Sequence, residues 1–297
     1  MMRSAPQPAF MPQVARQWPD RAFCLATARL AVRCLHAELT LYPKPGLVSP
    51  IDNGSHTDMN AATFMRSLFA LRHYFKQICL AGMTDAPFSE LKRLGITAER
   101  RMLQATSGIN THRGAIFSLG MLCAALGRAR AQQITLSAAA LRTALLATWG
   151  ADLASHTQVG TAVTAHGQLV STLYAASGAR EEGALGFPSV FEIGLPALQA
   201  TLKAGRTMQH ASIDTLFALM AHISDTNVFH RGGQEGALTV KRHAQQFIAQ
   251  GGTAHPHWQA GALACHRRFV QQKLSPGGAA DLLAATCLVH AAITHAQ

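Results

Sequence analysis

Apolar residues recur along most of the chain at intervals of three and four positions, which places them on one face of an α-helix. One such stripe contains Phe64, Leu68, Leu71 and Phe75 and ends near Gly82. Alternating runs of β-branched residues are absent from the sequence, whereas alanine, a strong helix former, is abundant. The pattern predicts one all-α, bundle-like domain over residues 19–297, preceded by a flexible tail at residues 1–18. The other predicted helices occupy about residues 20–41, 98–105, 115–126, 138–149, 153–176, 189–203, 212–223, 234–249, 257–272 and 278–295.

The loops between these helices combine glycine with charged residues or histidine. Connections in helical bundles are usually short and merely polar. Loops held by a rigid scaffold are where binding and catalytic residues concentrate. We therefore interpret these glycine-rich interhelical loops as functional. They comprise residues 42–46, 53–58, 108–114, 177–188, 225–233 and 273–278.

The loop at residues 108–114 reads Gly-Ile-Asn-Thr-His-Arg-Gly and leads into an apolar helical run. The first N–H groups of a helix have no partner within it and attract anions. The loop lacks the Lys-Ser/Thr ending of a P-loop, so it is not a Walker motif. Arg113 adds a guanidinium whose fork matches two phosphate oxygens. The segment predicts either an anion site or a well-capped buried helix.

Two other loops suit a phosphate. Lys44 stands between two prolines, so its ammonium is presented on a stiff, extended backbone. At residues 275–278, Ser-Pro-Gly-Gly fits a helix start with Ser275 as the cap and proline at the first position. A helix cap does not require the two glycines that follow, and their lack of side chains would let a phosphate reach the backbone.

Asp58 and Asp225 each lie in a polar loop near a predicted helix end. They are either ordinary N-caps or carboxylate ligands of Mg²⁺ beside a bound phosphate. The neighbouring Asn227 and Arg231 favour the functional interpretation of Asp225, whereas both interpretations of Asp58 stay open.

Further candidates are weaker. His156 shares a helical face with other polar residues, and that face is either a cleft lining or a plain surface. His166 beside Gly167 carries the same alternatives. Arg180 belongs to either an exposed lid or a surface loop.

Composition narrows the classes of function. The net charge is +11, but lysine and arginine are scattered and form only doublets, which disfavours a nucleic-acid interface. An anionic small molecule explains the charge equally well. The six cysteines form no Cys-x-x-Cys pair and are typical of reduced core residues in a cytoplasmic protein. Every apolar run falls short of the roughly 20 residues that a membrane span needs, and the N-terminus fails as a signal peptide.

Taken together, the motifs resemble the triphosphoribosyl-dephospho-CoA synthase family from about residue 27 onward. At residues 180–182 the chain has Arg-Glu-Glu where the family tends to Arg-Gly-Glu, which leaves the role of that loop open. The resemblance rests on residues 43–48, 53–59, 110–117, 166–167, 186–188, 225–233 and 274–278.

The resemblance implies a transferase that joins ATP and 3′-dephospho-CoA, with ATP as the glycosyl donor and release of adenine. The product would pass to a holo-acyl-carrier-protein transferase that serves malonate decarboxylase, favoured here, or citrate lyase. A homodimer is left open. The rival classes are a kinase or nucleotidyl transferase acting on a coenzyme, and a basic nucleic-acid-binding protein without catalysis.

The resemblance also implies roles for individual residues. Asp225, Asp58 and Glu38 are the catalytic carboxylates to test, and His112 is a candidate acid. Mg²⁺ bound through Asp225 and Asp58 would accompany ATP. The expected substrate and phosphate contacts are Lys44, Gly46, Asn110, Thr111, Arg113, Gly114, His166, Arg180, Asn227, His230, Arg231, Gly232, Lys273, Ser275, Gly277 and Gly278.

Overall fold

The computed structural model describes residues 13–160 and 178–294, in which the regular secondary structure is entirely helical. The predicted all-α class is confirmed. Besides α-helices, these residues form a π-helical turn at Ser189–Gly194 and a short 3₁₀ helix at Gly252–Ala254. The α-helices are α1 (Gln13–Thr40), α2 (Ala61–Met83), α3 (Phe88–Ala105), α4 (Arg113–Ala131), α5 (Ala138–Gly160), α6 (Ala179–Ala184), α7 (Leu195–Lys203), α8 (Met208–His222), α9 (Thr226–Ala249), α10 (Trp258–Gln271) and α11 (Gly277–Thr294).

Helix α4 is the centre of the core and is buried along most of its length. It packs against α1, α2, α3, α5 and α11. Its contact with α2 is backbone to backbone, because a β-carbon on Gly82 would collide with the carbonyl of Ala124, and one on Gly127 with the carbonyl of Cys79. Small residues at this crossing hold α4 close to α2, which fixes where the loop before α4 lies.

Helix α11 crosses the core beside α4 and α1. Among the described residues it alone is long and apolar enough to span a membrane, with a mean hydropathy of 1.4. Half of its length is buried inside the fold, and a core helix of a soluble protein has the same composition. Its packing therefore identifies α11 as a core element.

Several helix boundaries differ from those predicted. Helix α1 begins at Gln13, so the last part of the predicted tail is helical. Helix α5 continues through Gly150, where the sequence predicts a break. The rest of that predicted second helix, including His166, lies outside the described residues. The loop predicted at residues 177–188 contains the short helix α6.

Helix α9 begins at Thr226, eight positions before the predicted start at residue 234. It is broken at Gly233, whose φ of 58° and ψ of −156° are not helical. The predicted loop at residues 225–233 is therefore a helical turn followed by a kink. Because glycine accepts this backbone conformation without a side-chain clash, the chain can change direction there.

The prediction that the cysteines are unpaired and mostly in the core is confirmed. All six are free thiols, and five of them are buried. They are Cys24, Cys34, Cys79, Cys123, Cys265 and the partly exposed Cys287.

Candidate functional site

A cavity of about 980 Å³ lies where the glycine-bearing loops meet. Its wall includes Lys44 after α1, Arg113 at the start of α4, Asp225 before α9 and Gly277 at the start of α11. Four loops that are distant in sequence therefore face one volume. A cavity of this size lies within the range of small-molecule sites.

Most of the site residues predicted from the sequence line this cavity. Four do not, namely Gly46, Asp58, Gly232 and Lys273, and His166 lies outside the described residues. The predicted residues on the wall are Glu38, Lys44, Asn110, Thr111, His112, Arg113, Gly114, Arg180, Asp225, Asn227, His230, Arg231, Ser275, Gly277 and Gly278.

The residues off the wall have other roles. A β-carbon on Gly46 or on Gly232 would collide with Leu274, so these glycines permit close packing of loops rather than contact with a ligand. The side chain of Asp58 is 57% exposed and lies 3.6 Å from Nδ1 of His56. Lys273 is exposed and does not line the cavity. The structure thus places these four residues off the cavity wall.

The exposed part of the cavity wall is cationic. It carries Arg113, Arg180 and Arg231, together with Lys92, which the sequence analysis did not identify. Arg113 is 58% exposed, and its Nε lies 2.6 Å from Oε1 of Glu99. We name Lys92, Arg113, Arg180 and Arg231 the cationic rim.

Arg231 is held by the loop at residues 53–58. Its guanidinium donates to the carbonyl of Ser55 at 3.1 Å and to Nδ1 of His56 at 3.0 Å. Nδ1 is therefore an acceptor, so Nε2 of His56 carries the hydrogen and donates to Oγ of Ser275 at 2.8 Å. Burial, and then the charge of Arg231, lower the pKa of His56. A neutral imidazole thus joins the rim to the loop before α11.

Asp225 joins the starts of two helices. Its Oδ1 accepts from the N–H of Asn227 at 2.9 Å and caps α9, while Oδ2 accepts from the N–H of Ala279 at 3.1 Å in α11. The cap predicted for Ser275 is therefore supplied by Asp225. Burial raises the pKa of Asp225, and its backbone N–H partners oppose that shift. This carboxyl aligns the first turns of α9 and α11 along the cavity.

Lys44 is buried instead of presented to solvent. Its Nζ donates to Oε1 of Glu38 at 2.6 Å and to the Glu38 carbonyl at 2.8 Å. The side chains are 2% and 7% exposed. Burial lowers the pKa of Lys44, and the charge of Glu38 opposes that effect. Because Glu38 already balances the ammonium, the expected role of Lys44 as a free phosphate contact is corrected to that of an ion-pair partner in the cavity floor.

Asp281 is a cavity residue that the sequence prediction did not include. It lies one turn into α11 and reaches the N-terminal end of α4, beside Gly114. Desolvation, and then the charges of Glu38 and Asp225, hold the pKa of Asp281 well above its ordinary value, while the N–H of Ala115 opposes them. A single acidic residue one turn into an otherwise apolar helix was the available signal. We name Glu38, Asp225 and Asp281 the acidic floor.

His112 is neutral in this structure. Its side chain is 2% exposed, and its Nδ1 lies 2.6 Å from Oγ of Ser67. Burial, with a smaller effect from Lys44, lowers its pKa to about 3. At neutral pH the imidazole therefore lacks the extra proton that the predicted role as an acid requires.

The predicted magnesium ligands do not share a site. Asp225 lies on the cavity wall with both carboxylate oxygens bonded to backbone N–H groups, whereas Asp58 lies outside it. Within residues 13–160 and 178–294, no group of three or more His, Cys, Asp or Glu side chains is arranged to hold a metal ion. These residues do not fit a protein-bound Mg²⁺ formed by that pair.

Comparison with known proteins identifies the family of this chain. The family model for CitG, ATP:dephospho-CoA triphosphoribosyl transferase, matches residues 24–297. The chain belongs to this family. No solved structure matches it.

Relatives of similar length support the assignment. A probable 2-(5″-triphosphoribosyl)-3′-dephosphocoenzyme-A synthase of Acinetobacter calcoaceticus is 41% identical over 258 residues, which cover 86% of this chain and 87% of the relative. The 2-(5″-triphosphoribosyl)-3′-dephosphocoenzyme-A synthase of Pectobacterium atrosepticum is 34% identical, with 93% and 92% covered. A probable synthase of the same name from Stutzerimonas stutzeri is 39% identical, with 92% and 93% covered.

Proposed function

We propose that this chain transfers the triphosphoribosyl group of ATP to 3′-dephospho-CoA and releases adenine. The single observation that carries the proposal is one cavity whose wall combines the four exposed cations of the cationic rim with the three carboxyl groups of the acidic floor. Family membership supports the same reaction.

The cationic rim suits the phosphates of the substrates, and the acidic floor suits the ribose of ATP. A triphosphate and a coenzyme diphosphate bring several negative charges together, which guanidinium and ammonium groups bind favourably. Breaking the bond between ribose and adenine builds positive charge on the sugar, which carboxylates stabilise as they do in glycosidases. Phe64, Phe117 and Met121 add apolar wall against which an adenine base can lie.

The proposal includes Mg²⁺ as the ion that accompanies ATP, bound to its phosphates rather than to Asp225 and Asp58. It also includes a cytoplasmic location, where ATP is available and free thiols persist. We place the product upstream of a holo-acyl-carrier-protein transferase, with malonate decarboxylase as the favoured destination over citrate lyase.

The test is product analysis of purified protein incubated with ATP, 3′-dephospho-CoA and MgCl₂. We expect free adenine in equal amount to a new coenzyme adduct whose mass contains the triphosphoribosyl group. Omission of the acceptor should abolish the adduct, and EDTA should slow its formation. Release of ADP or pyrophosphate without adenine would instead identify a kinase or a nucleotidyl transferase.

A further inference from the structure

The three carboxyl groups of the acidic floor have different surroundings. Glu38, at the end of α1, is ion-paired with Lys44. Asp225 gives both of its oxygens to backbone N–H groups of α9 and α11. Asp281, on α11, faces the charges of Glu38 and Asp225, and the N–H of Ala115 is the stabilising contact that opposes them. Burial raises the pKa of both aspartates, but backbone N–H partners oppose that shift at Asp225, whereas two neighbouring carboxylates add to it at Asp281.

Asp281 also differs from the other candidate proton donors in its contacts and its exposure to the cavity. His112 is neutral, and its ring is buried against Ser67. Asp225 serves as a cap, and both of its oxygens accept hydrogen bonds from backbone N–H groups. Asp281 retains partial exposure to the cavity, so its carboxyl can reach a ligand there. Carboxyl groups whose environments differ in this way can take opposite roles in one reaction.

We propose that Asp281 is the proton donor to the adenine that leaves ATP. This inference rests on the proposed transfer of a triphosphoribosyl group. It assigns a catalytic role to a residue that the motifs of the loops did not include.

The proposed step is balanced in protons and electrons. The bond between C1′ of the ATP ribose and N9 of adenine breaks, and its electron pair goes to the base. The carboxyl proton of Asp281 goes to a ring nitrogen of the base, which departs as neutral adenine. An acceptor hydroxyl oxygen of dephospho-CoA bonds to C1′, and its proton goes to Glu38. Transfer of that proton from Glu38 back to Asp281 restores the starting state.

The test compares wild-type protein with Asp281→Asn, which preserves shape but cannot donate the proton. We expect Asp281→Asn to lower kcat for adenine release by about 10²- to 10⁴-fold, the range for general acid catalysis, with little change in KM for ATP. Wild-type kcat should fall as pH rises through the pKa of Asp281, because the protonated form is active. The residual kcat of Asp281→Asn should lack this alkaline decline. Asp281→Glu, which keeps a carboxyl group, should recover part of the wild-type kcat.

A matched control is Asp85→Asn. Asp85 is 57% exposed, lies off the cavity wall and has a φ of 56°, which asparagine adopts readily. We expect this variant to keep wild-type kcat and the wild-type pH profile.

The outcomes separate two failures. Wild-type protein that releases no adenine from ATP at any pH would overturn the proposed function. An active wild-type protein would overturn only the role of Asp281 if its kcat showed no alkaline decline, or if Asp281→Asn kept the wild-type rate or the same decline. If Asp281→Asn does not fold, a wild-type profile without the alkaline decline would still overturn the role of Asp281.

Discussion

The carboxylate of Asp281 occupies the space that a β-carbon on Gly114 would need. The contact joins the second turn of α11 to the first turn of α4, so the absence of a side chain at Gly114 determines the position of the Asp281 carboxyl in the cavity. The structure thus gives a steric role to a glycine that the sequence predicts to bind phosphate.

We expect Gly114→Ala to displace Asp281, lower kcat for adenine release and reduce the free energy of unfolding by about 1–3 kcal/mol, the usual cost of overpacking. The matched control is Gly261→Ala in α10, where the nearest atom outside the helix, on Phe247, would lie 3.8 Å away. That variant should keep activity and gain about 0.4–1 kcal/mol. Urea unfolding and adenine release measure both effects, and identical behaviour of the two variants would contradict the steric role.

The buried ion pair between Lys44 and Glu38 predicts a large cost for removing one partner. Lys44→Met leaves Glu38 charged and buried, so we expect the free energy of unfolding to fall by about 3–5 kcal/mol. The pair of Arg93 and Glu90 in α3 has the same 2.6 Å separation but is solvent-exposed, so Arg93→Ala should change stability little. Urea unfolding checks both variants. If both variants lower the free energy of unfolding by the same small amount, burial does not increase the contribution of the Lys44 pair to stability.

The cationic rim predicts weaker substrate binding when one arginine is removed. Arg113→Ala and Arg180→Ala should each lower kcat/KM for ATP or dephospho-CoA by about 10- to 100-fold, which corresponds to the roughly 1.5–3 kcal/mol of a charge-assisted hydrogen bond. The effect should diminish at high salt, because the charges are exposed.

Arg72→Ala is the control variant. Arg72 is also exposed, but it lies off the cavity wall and donates to the Phe69 carbonyl. Initial rates at varied substrate and salt concentrations measure the change. Unaltered kinetics in both rim variants would exclude them from substrate binding.

His112 predicts a loss of stability in acid. Its pKa is about 3 in the folded protein against an ordinary value of 6.5, so the unfolded chain takes up a proton first as pH falls. The stabilisation is complete above pH 6.5 and is lost between pH 6.5 and 3, at up to about 1.4 kcal/mol per pH unit. Asp225 and Asp281, whose pKa values are raised, act in the opposite direction, so comparison between variants is required.

Replacement of His112 isolates its contribution. The free energy of unfolding should depend less steeply on pH in His112→Gln than in wild type between pH 6.5 and 4. The exposed His73 provides the control His73→Gln, which should retain the wild-type slope. Urea unfolding at a series of pH values makes the comparison. An unchanged slope in His112→Gln would mean that this imidazole is not held neutral by the fold.

The sequence by itself determined the helical class, most helix positions and the loops that gather at the cavity, because apolar periodicity, glycine and proline act over a few residues. It could not determine which charged residues face the cavity. The sequence predicts Lys44 as a presented cation, but the fold buries it against Glu38. It leaves Asp225 as either a cap or a magnesium ligand, and only the fold shows that Ala279 donates to its second oxygen. These partners depend on how α1, α4, α9 and α11 pack. The tertiary structure also places Asp58 off the cavity wall and Asp281 on it, because only the packing of the helices sets the distance between residues far apart in the chain.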